Sequence, residues 1–329
     1  MDTIPVTLDD IRAARSAIAG LVHRTPVVTS RTLSQMTGWR VHLKLENLQK
    51  TGSFKPRGAI TTMKALAPAE RARGVITISA GNHAQGVAYA GSVLGCRATV
   101  VMPANASPAK AEAARGYGAE VILHGAIAET FERMNQLREE RNLVFIHPFD
   151  APGTIAGQGT VGLEILEDLP DADLVVAGIG GGGLLSGIAL AVKKTRPATR
   201  IIGVEPVGAP SMRRSFDEGK PVRLDGTDTI ADGLAAPFAG TLNYEILKQY
   251  ADDIVLVTDD EIRAGMRFLL ERCKTLAEPA GAAATGAILA GKIKAPAGSR
   301  VVSVVSGGNI GAELLATHLS TSITSRTAP

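Results

Sequence analysis

The stretch TGSFKPRGA, residues 51–59, sets Lys55 between a glycine-serine turn and a proline-glycine pair. Pro56 suits a first helical position, because its fixed φ favours the helix and its missing N–H is no loss there. A lysine just before it lies near the positive end of the helix dipole, which disfavours the ammonium and favours the free amine. A neutral amine attacks an aldehyde and forms a Schiff base, a use for which lysine pKa values are commonly lowered. The plain alternative is an exposed lysine at a helix start. Lys50 ends the preceding strand without a proline behind it and is the poorer candidate.

A second motif, AGIGGGGLLSG (177–187), follows a strand-like run and opens a helical one. Its successive glycines Gly180, Gly181, Gly182 and Gly183 let backbone N–H groups approach an anion, and the helix start adds positive potential. A phosphate is the natural guest. Gly178, Gly180 and Gly183 also satisfy G-x-G-x-x-G, with Glu205 22 residues beyond Gly183. Taken alone, that spacing leaves a nicotinamide-dependent dehydrogenase open. In SAGNHAQG (79–86), the residues Ser79, Ala80, Gly81, Asn82 and His83 leave N–H groups free at a helix start. A carboxylate fits there, and Asn82 can donate to a ring oxygen. His83 reads either as a general base or, more simply, as a packed and hydrogen-bonded ring. In SVVSGGNIG (303–311), Ser306 ends an apolar strand, where its hydroxyl can meet a ring nitrogen or cap the following turn. Together the motifs describe one ligand with an aldehyde, a phosphate, a ring oxygen and a ring nitrogen. Pyridoxal 5'-phosphate has all four.

The elements that must position these motifs follow a repeating rhythm. VITIS (75–79), RATVVMP (97–103), EVILHG (120–125) and LVFIHP (143–148) are β-branched runs with helical stretches between them. DLVVAGIG (173–180), RIIGVEP (200–206), DDIVLVT (252–258) and RVVSVVSGG (300–308) continue the pattern. Strands alternating with helices predict an α/β fold with parallel sheets. VHLKLENL (41–48) predicts the strand that leads into Lys55, and Thr7 with Asp10 predicts a capping box on a first helix stopping at Gly20. The Pro-, Gly- and Asp-rich segment 207–250 reads as a lid or substrate-facing excursion. The ending STSITSRTAP is polar and is expected to fray.

At 329 residues, the length prior favours roughly two domains. The formal charge of +3 is spread along the chain without a basic block, which argues against nucleic acid or an anionic membrane as partner. No apolar stretch of about 18 residues is present, and MDTIPVTLDDIRAA lacks a basic start followed by an apolar run. A cytoplasmic protein is therefore expected, with neither a membrane span nor a secretory leader. Cys96 and Cys273 lack metal-ligand spacing and read as buried free thiols. The 36 glycines suit a fold with close backbone approaches.

The combination resembles the fold-type II pyridoxal-phosphate enzymes of the threonine dehydratase and serine racemase family. The resemblance runs from about residue 7 to 316, through LKLENLQKTGSFKPRGA, SAGNHAQGVA, HPFD, GQGT, GIGGGGLLSG, GVEP, EPAGAAA and VVSGGNIG. It implies a tryptophan-synthase-β-like architecture with a large domain of residues 1–71 plus 149–329, a small inserted domain of 72–148, and the cofactor in the cleft between them. It also implies that Lys55 holds the cofactor aldehyde and then serves as the acid-base group, with Phe54 among the cofactor contacts. Asn82 contacts the ring hydroxyl, Gly180–Gly183 with Leu184 hold the phosphate, and Ser306 faces the pyridine nitrogen. Ser79, Ala80, Gly81, Asn82 and His83 take the substrate carboxylate.

The sequence departs from the family pattern in three places. Serine racemase places a divalent-cation ligand at the position of Glu205 and an aspartate six residues later, where this chain has Ser211, so no metal site is expected. Ala80 stands where related racemases carry a proton-donating serine, which implies elimination over racemisation. IADGLAAPFAG (230–240) is apolar where many threonine dehydratases carry a basic pair. The activity implied is the dehydration of L-threonine or L-serine to 2-oxobutanoate or pyruvate, with release of ammonia. A 3-hydroxyaspartate or hydroxyectoine-derived substrate, a serine racemase, a β-replacement enzyme and a non-catalytic sensor are the alternatives. A homodimer or homotetramer without a regulatory domain or isoleucine feedback is expected.

Overall fold

The computed structural model describes residues 4–320. The strands are β1 (Val27–Thr29), β2 (Arg40–Leu45), β3 (Val75–Ile78), β4 (Ala98–Met102) and β5 (Glu120–Leu123). They continue with β6 (Val144–Phe145), β7 (Leu174–Gly178), β8 (Arg200–Pro206), β9 (Asp253–Val257) and β10 (Arg300–Val305). One sheet has the order β1-β2-β10-β7-β8-β9 and the other β5-β4-β3-β6. Every pairing is parallel except that of edge strand β1 with β2. Parallel strands covered by helices on both faces read as unbroken apolar runs, and ATVVM and LVVAG are buried along their whole length. The protein is therefore an α/β molecule of two parallel-sheet domains.

The chain leaves the large sheet after β2, builds the whole small sheet from β3 to β6, and then returns to the large sheet through β7. Helix Lys55–Ala65 lies at this junction. Ala59, Ile60 and Met63 pack with Val75, Val87 and Val100 of the small-sheet core. On the other side Gly157, in helix Pro152–Asp168, lies so close that a Cβ would sit 2.5 Å from the Arg57 carbonyl oxygen. Packing on both sides fixes the helix that carries Lys55.

The capping box is present: Thr7 Oγ1 accepts from Asp10 N at 3.2 Å, and Thr7 N donates to the Asp10 carboxylate at 2.8 Å. The strand expected over 41–48 ends at Leu45, because Glu46 turns inward and residues Glu46–Leu48 form a 3-10 turn. β1 and the helices Pro152–Asp168 and Pro279–Leu289 have no counterpart among the expected elements. Segment 207–250 is not one excursion, since helices Ser211–Glu218 and Thr241–Tyr250 occupy its ends. Cys96 is buried as expected, but Cys273 is only half-buried. Apart from Ser320, the polar ending lies outside the described residues. No described helix is long and apolar enough to cross a membrane.

Candidate active site

β2, β10 and β7 are neighbours in the large sheet, and all three run in the same direction. Their carboxyl ends therefore bring the Lys55 loop, Ser306 and the glycine loop side by side, at the edge where open α/β sheets hold ligands. The Lys55 loop is stitched to the end of β10. Ser53 bridges Gly307, Phe54 N donates to the Ser306 carbonyl at 3.2 Å, and Gly308 N donates to the Gly52 carbonyl at 2.9 Å. Asn309 Nδ2 reaches back to the Thr51 carbonyl at 2.7 Å. Lys55 begins its helix, with Pro56 directly behind it. Its Nζ donates to the Pro148 carbonyl at 3.1 Å, and burial brings its pKa down to about 8 despite the nearby Glu278 carboxyl. The site thus holds an amine that is easily neutral.

The glycine loop is bare because its walls leave no room. A Cβ on Gly181 would lie 2.3 Å from the Phe149 ring, and one on Gly183 would lie 2.7 Å from the Phe149 carbonyl oxygen. Gly182 has φ +104°, a left-handed conformation that favours glycine. Asn243, fully buried, props the loop from below. Its Nδ2 donates to the Gly181 carbonyl at 3.0 Å and to the Phe149 carbonyl at 3.1 Å. Helix Gly183–Thr195 starts immediately after, so its first-turn N–H groups lack intrahelical partners. Leu184 packs its side chain into the core, leaving only its N–H for an anion.

The third loop comes from the other sheet, at the end of β3. Gly81 N donates to Ser79 Oγ at 3.2 Å, and Asn82 opens helix Asn82–Leu94. The Asn82 amide donates through Nδ2 to Glu278 Oε1 and accepts through Oδ1 from Asn309 Nδ2 at 2.8 Å. Ser306 Oγ lies 3.4 Å from the Ala280 carbonyl. His83 is buried with Nε2 at 3.1 Å from the Ile146 carbonyl. Burial, then the charge of Lys55, depresses its pKa to about 3, so the ring is neutral and Nε2 carries the proton it donates. Within the fold His83 is a packed ring.

Beneath the Lys55 loop lies a buried charge cluster that the sequence reading did not find. Arg57 forks onto Glu46, with Nε and Nη2 each 2.8 Å from a carboxylate oxygen. Its Nη1 also reaches Glu164 at 2.7 Å, and Lys44 Nζ reaches the same carboxylate at 2.6 Å. Arg57, Lys44 and Glu46 are all 0% exposed. The cluster ties β2, the Lys55 helix and helix Pro152–Asp168 together, which fixes the helix start two residues behind the amine. Asp150 was missed as well. Its carboxylate accepts from Thr241 N at 2.9 Å and Leu242 N at 3.1 Å, anchoring helix Thr241–Tyr250 and with it Asn243.

Glu205, the acid of the dinucleotide-like spacing, faces inward. It accepts from Met212 N at 2.8 Å and Arg213 N at 2.7 Å, at the start of helix Ser211–Glu218, and burial raises its pKa to about 7. A carboxyl committed to a helix start is unavailable to a ribose. Among the described residues no group of three or more His, Cys, Asp or Glu side chains is placed to hold a metal.

A half-buried amine of lowered pKa and a bare glycine cradle at a helix start lie on one sheet edge, and an amide donor from the other sheet meets them there. These donors fit an aldehyde-bearing phosphate ester, and they define a cofactor-dependent α/β enzyme of the Schiff-base kind. The comparisons agree. The protein-family profile described as pyridoxal-phosphate dependent enzyme matches residues 18–307. The L-threonine ammonia-lyase of Thermotoga maritima is 46% identical over 311 residues, covering 94% of this chain and 77% of that protein. The catabolic L-threonine dehydratase TdcB of Escherichia coli is 45% identical over 309 residues, covering 93% and 94%. The structure of maize serine racemase superposes with a TM-score of 0.91 at 39% identity, covering 95% of this chain and 96% of that one. The chain belongs to the pyridoxal-phosphate-dependent enzyme family.

Proposed function

We propose that the protein is an ammonia-lyase that removes water and then ammonia from a β-hydroxy amino acid, L-threonine or L-serine. The observation that carries this reading is the half-buried Lys55 amine of lowered pKa, held where three parallel strand ends and the glycine loop meet. The high identity to threonine ammonia-lyases supports the substrate class. In this reading Lys55 Nζ holds the cofactor aldehyde. The N–H groups of Gly180–Gly183 and Leu184 receive the phosphate, Asn82 Nδ2 meets the ring oxygen, Ser306 Oγ meets the ring nitrogen, and Phe54 adds apolar contact. When bound, pyridoxal phosphate supplies an electron sink for the carbanion formed at the substrate α-carbon.

Once substrate has displaced it, the Lys55 amine takes the α-proton. The loop Ser79–His83 holds the substrate carboxylate on the N–H groups that its own bonds leave open, those of Ala80, Asn82 and His83. His83 contributes backbone because its ring is engaged with Ile146. Ala80 offers only a methyl group, which cannot return a proton to the α-carbon, and this favours loss of the β-hydroxyl over racemisation. The released enamine hydrolyses in water to a 2-oxo acid and ammonia.

The same reading divides the chain into a large domain of 1–71 plus 149–329 and a small inserted domain of 72–148. It makes the enzyme a cytoplasmic homodimer or homotetramer. Exposed Leu48 and Leu276 line one surface hollow, which favours burial against a second copy. Light scattering on the eluted protein checks that state.

The test is the visible spectrum of purified holoenzyme on addition of L-threonine. A long-wavelength band that changes while a 2-oxo acid accumulates is the expected result. A band indifferent to both L-threonine and L-serine overturns the substrate assignment. Full turnover by Lys55→Ala would overturn the catalytic one.

A further inference from the structure

We propose that Glu278 is a positioning residue, which fixes the orientation of the Asn82 amide and so aims its second N–H at the cofactor ring oxygen. This rests on the Asn82 assignment made under the proposed function. Glu278 occupies the N-cap of helix Pro279–Leu289, where an acidic side chain ordinarily caps its own helix, yet it makes no such bond. It reaches instead into the other domain and accepts from Asn82 Nδ2.

A primary amide has two N–H donors and one carbonyl. With Oδ1 taken by Asn309 and one N–H by Glu278, a single donor remains, and its direction is set by the other two contacts. The flipped amide would set its oxygen against the Glu278 carboxyl and its NH2 against the NH2 of Asn309. Both contacts are repulsive unless a partner turns as well or the Glu278 carboxyl, whose pKa burial raises to about 7, takes up a proton. Asn309 is itself held through the same Nδ2 by the Thr51 carbonyl at 2.7 Å, so the clamp is anchored to the loop that carries Lys55.

The backbone makes room for this pair. A Cβ on Gly307 would lie 2.3 Å from Glu278 Oε1 and 3.2 Å from Asn82 Nδ2, so the residue after Ser306 must be bare. Glu278 N donates to the Gly307 carbonyl at 3.1 Å, which locks the carboxyl-bearing residue to the end of β10. Glu278 is only 7% exposed, a costly place for a carboxyl that serves no structural cap.

The experiment titrates the long-wavelength band of reconstituted holoenzyme against pH and measures cofactor dissociation, with Asn82→Ala as reference. Glu278→Met, of similar length, is expected to move the band midpoint in the direction Asn82→Ala moves it and to weaken cofactor binding roughly tenfold. The double variant is expected to lose little more, because both changes remove one contact. Glu278→Gln keeps an acceptor carbonyl and is expected to stay close to the parent. Glu278→Asp keeps the charge but withdraws the acceptor by one methylene, so it follows Met in direction and serves if Met fails to fold.

A parent-like band and affinity in Glu278→Met or Glu278→Asp, while Asn82→Ala shifts both, overturns the positioning role and leaves the Asn82 assignment standing. A shift in Glu278→Gln as large as in Glu278→Met assigns the effect to charge and overturns positioning too. No shift in Asn82→Ala itself overturns the assignment on which the proposal rests.

Discussion

On the large-sheet side of the cleft, the Lys55 loop is pinned by backbone pairing with residues 306–308 and by the buried cluster of Arg57, Lys44, Glu46 and Glu164. On the small-sheet side, the loop after β3 has one internal bond, Gly81 N to Ser79 Oγ, and is tied across the cleft by the Asn82 amide. It is held to its own sheet by Ser79 N on the Val101 carbonyl and the His83 ring on the Ile146 carbonyl. A half-exposed ion pair, Lys110 Nζ to Asp232 Oδ2 at 3.3 Å, spans the two domains nearby. Apart from Asn82, the groups assigned to the cofactor thus sit on the rigid side, and those assigned to the substrate carboxylate, Ser79–His83, sit on the side with fewer fixings. A cleft built this way can keep its cofactor while the other wall moves for each substrate.

The contrast is broken most severely at Arg57. Arg57→Met leaves the buried Glu46 carboxyl without its cation, while Glu164 keeps only Lys44, and a buried pair stripped of one partner destabilises by about 3–5 kcal/mol. Urea unfolding of the purified variant checks that value, and a loss under about 1 kcal/mol would show that the cluster does not hold the rigid side. Gly181→Ala is the next largest. Its methyl meets the Phe149 ring, an overpacking of about 1–3 kcal/mol, and cofactor affinity is expected to fall with it. Fluorescence titration of apoprotein with pyridoxal phosphate reads the change.

Lys55 gives a pH test of the same side. Its pKa in the folded chain is about 8, below the ordinary 10.5, so the unfolded chain binds more protons between those values. The Lys55 contribution to apoprotein stability therefore grows as pH rises through that window, and Lys55→Met removes the slope. The rate of cofactor capture by apoprotein should be half-maximal near pH 8, and a rate still climbing steeply at pH 10 would contradict the depressed pKa.

The smallest effect is expected on the movable side. Asp232→Asn removes a pair whose acid is 76% exposed and should change stability by less than about 1 kcal/mol. A modest, salt-sensitive shift in KM with kcat unchanged would sharpen the contrast, whereas a large loss of stability would erase it.

The residues legible in the sequence were those marked by local pattern. Lys55 was flagged by its proline, the phosphate loop by its glycines, and the strands by β-branched runs such as RIIGVEP, which matches β8 from Arg200 to Pro206. What escaped depends on contacts between distant segments. Lys44 and Glu46 look like the polar side of an ordinary strand, and only the fold shows that Arg57 and Glu164 draw them inside. Asn243 and Asp150 lie 93 positions apart, and neither carries a motif that would link it to the glycine loop. Glu278 stood in a recognised motif, EPAGAAA, but its role is visible only once Asn82 is seen against it.

The pairing of β2 with β10 carries a consequence for how the molecule is made. Arg40 aligns with Arg300 and Leu45 with Val305, so the strand leading to Lys55 leaves the ribosome roughly 250 residues before its central partner. At ordinary synthesis speeds that is on the order of 10–50 s. During that interval the nascent chain gains in turn a lysine, an asparagine loop and a glycine loop, but it has no Ser306, no Gly307–Asn309 stitch and no strand to seat β2 beside β7. The small inserted sheet, whose strands lie within residues 75–145, can form early from nearby segments, whereas the large sheet closes last through its most distant contact. With the cofactor groups as proposed, its capture is expected only once β10 has arrived, late in the life of the chain.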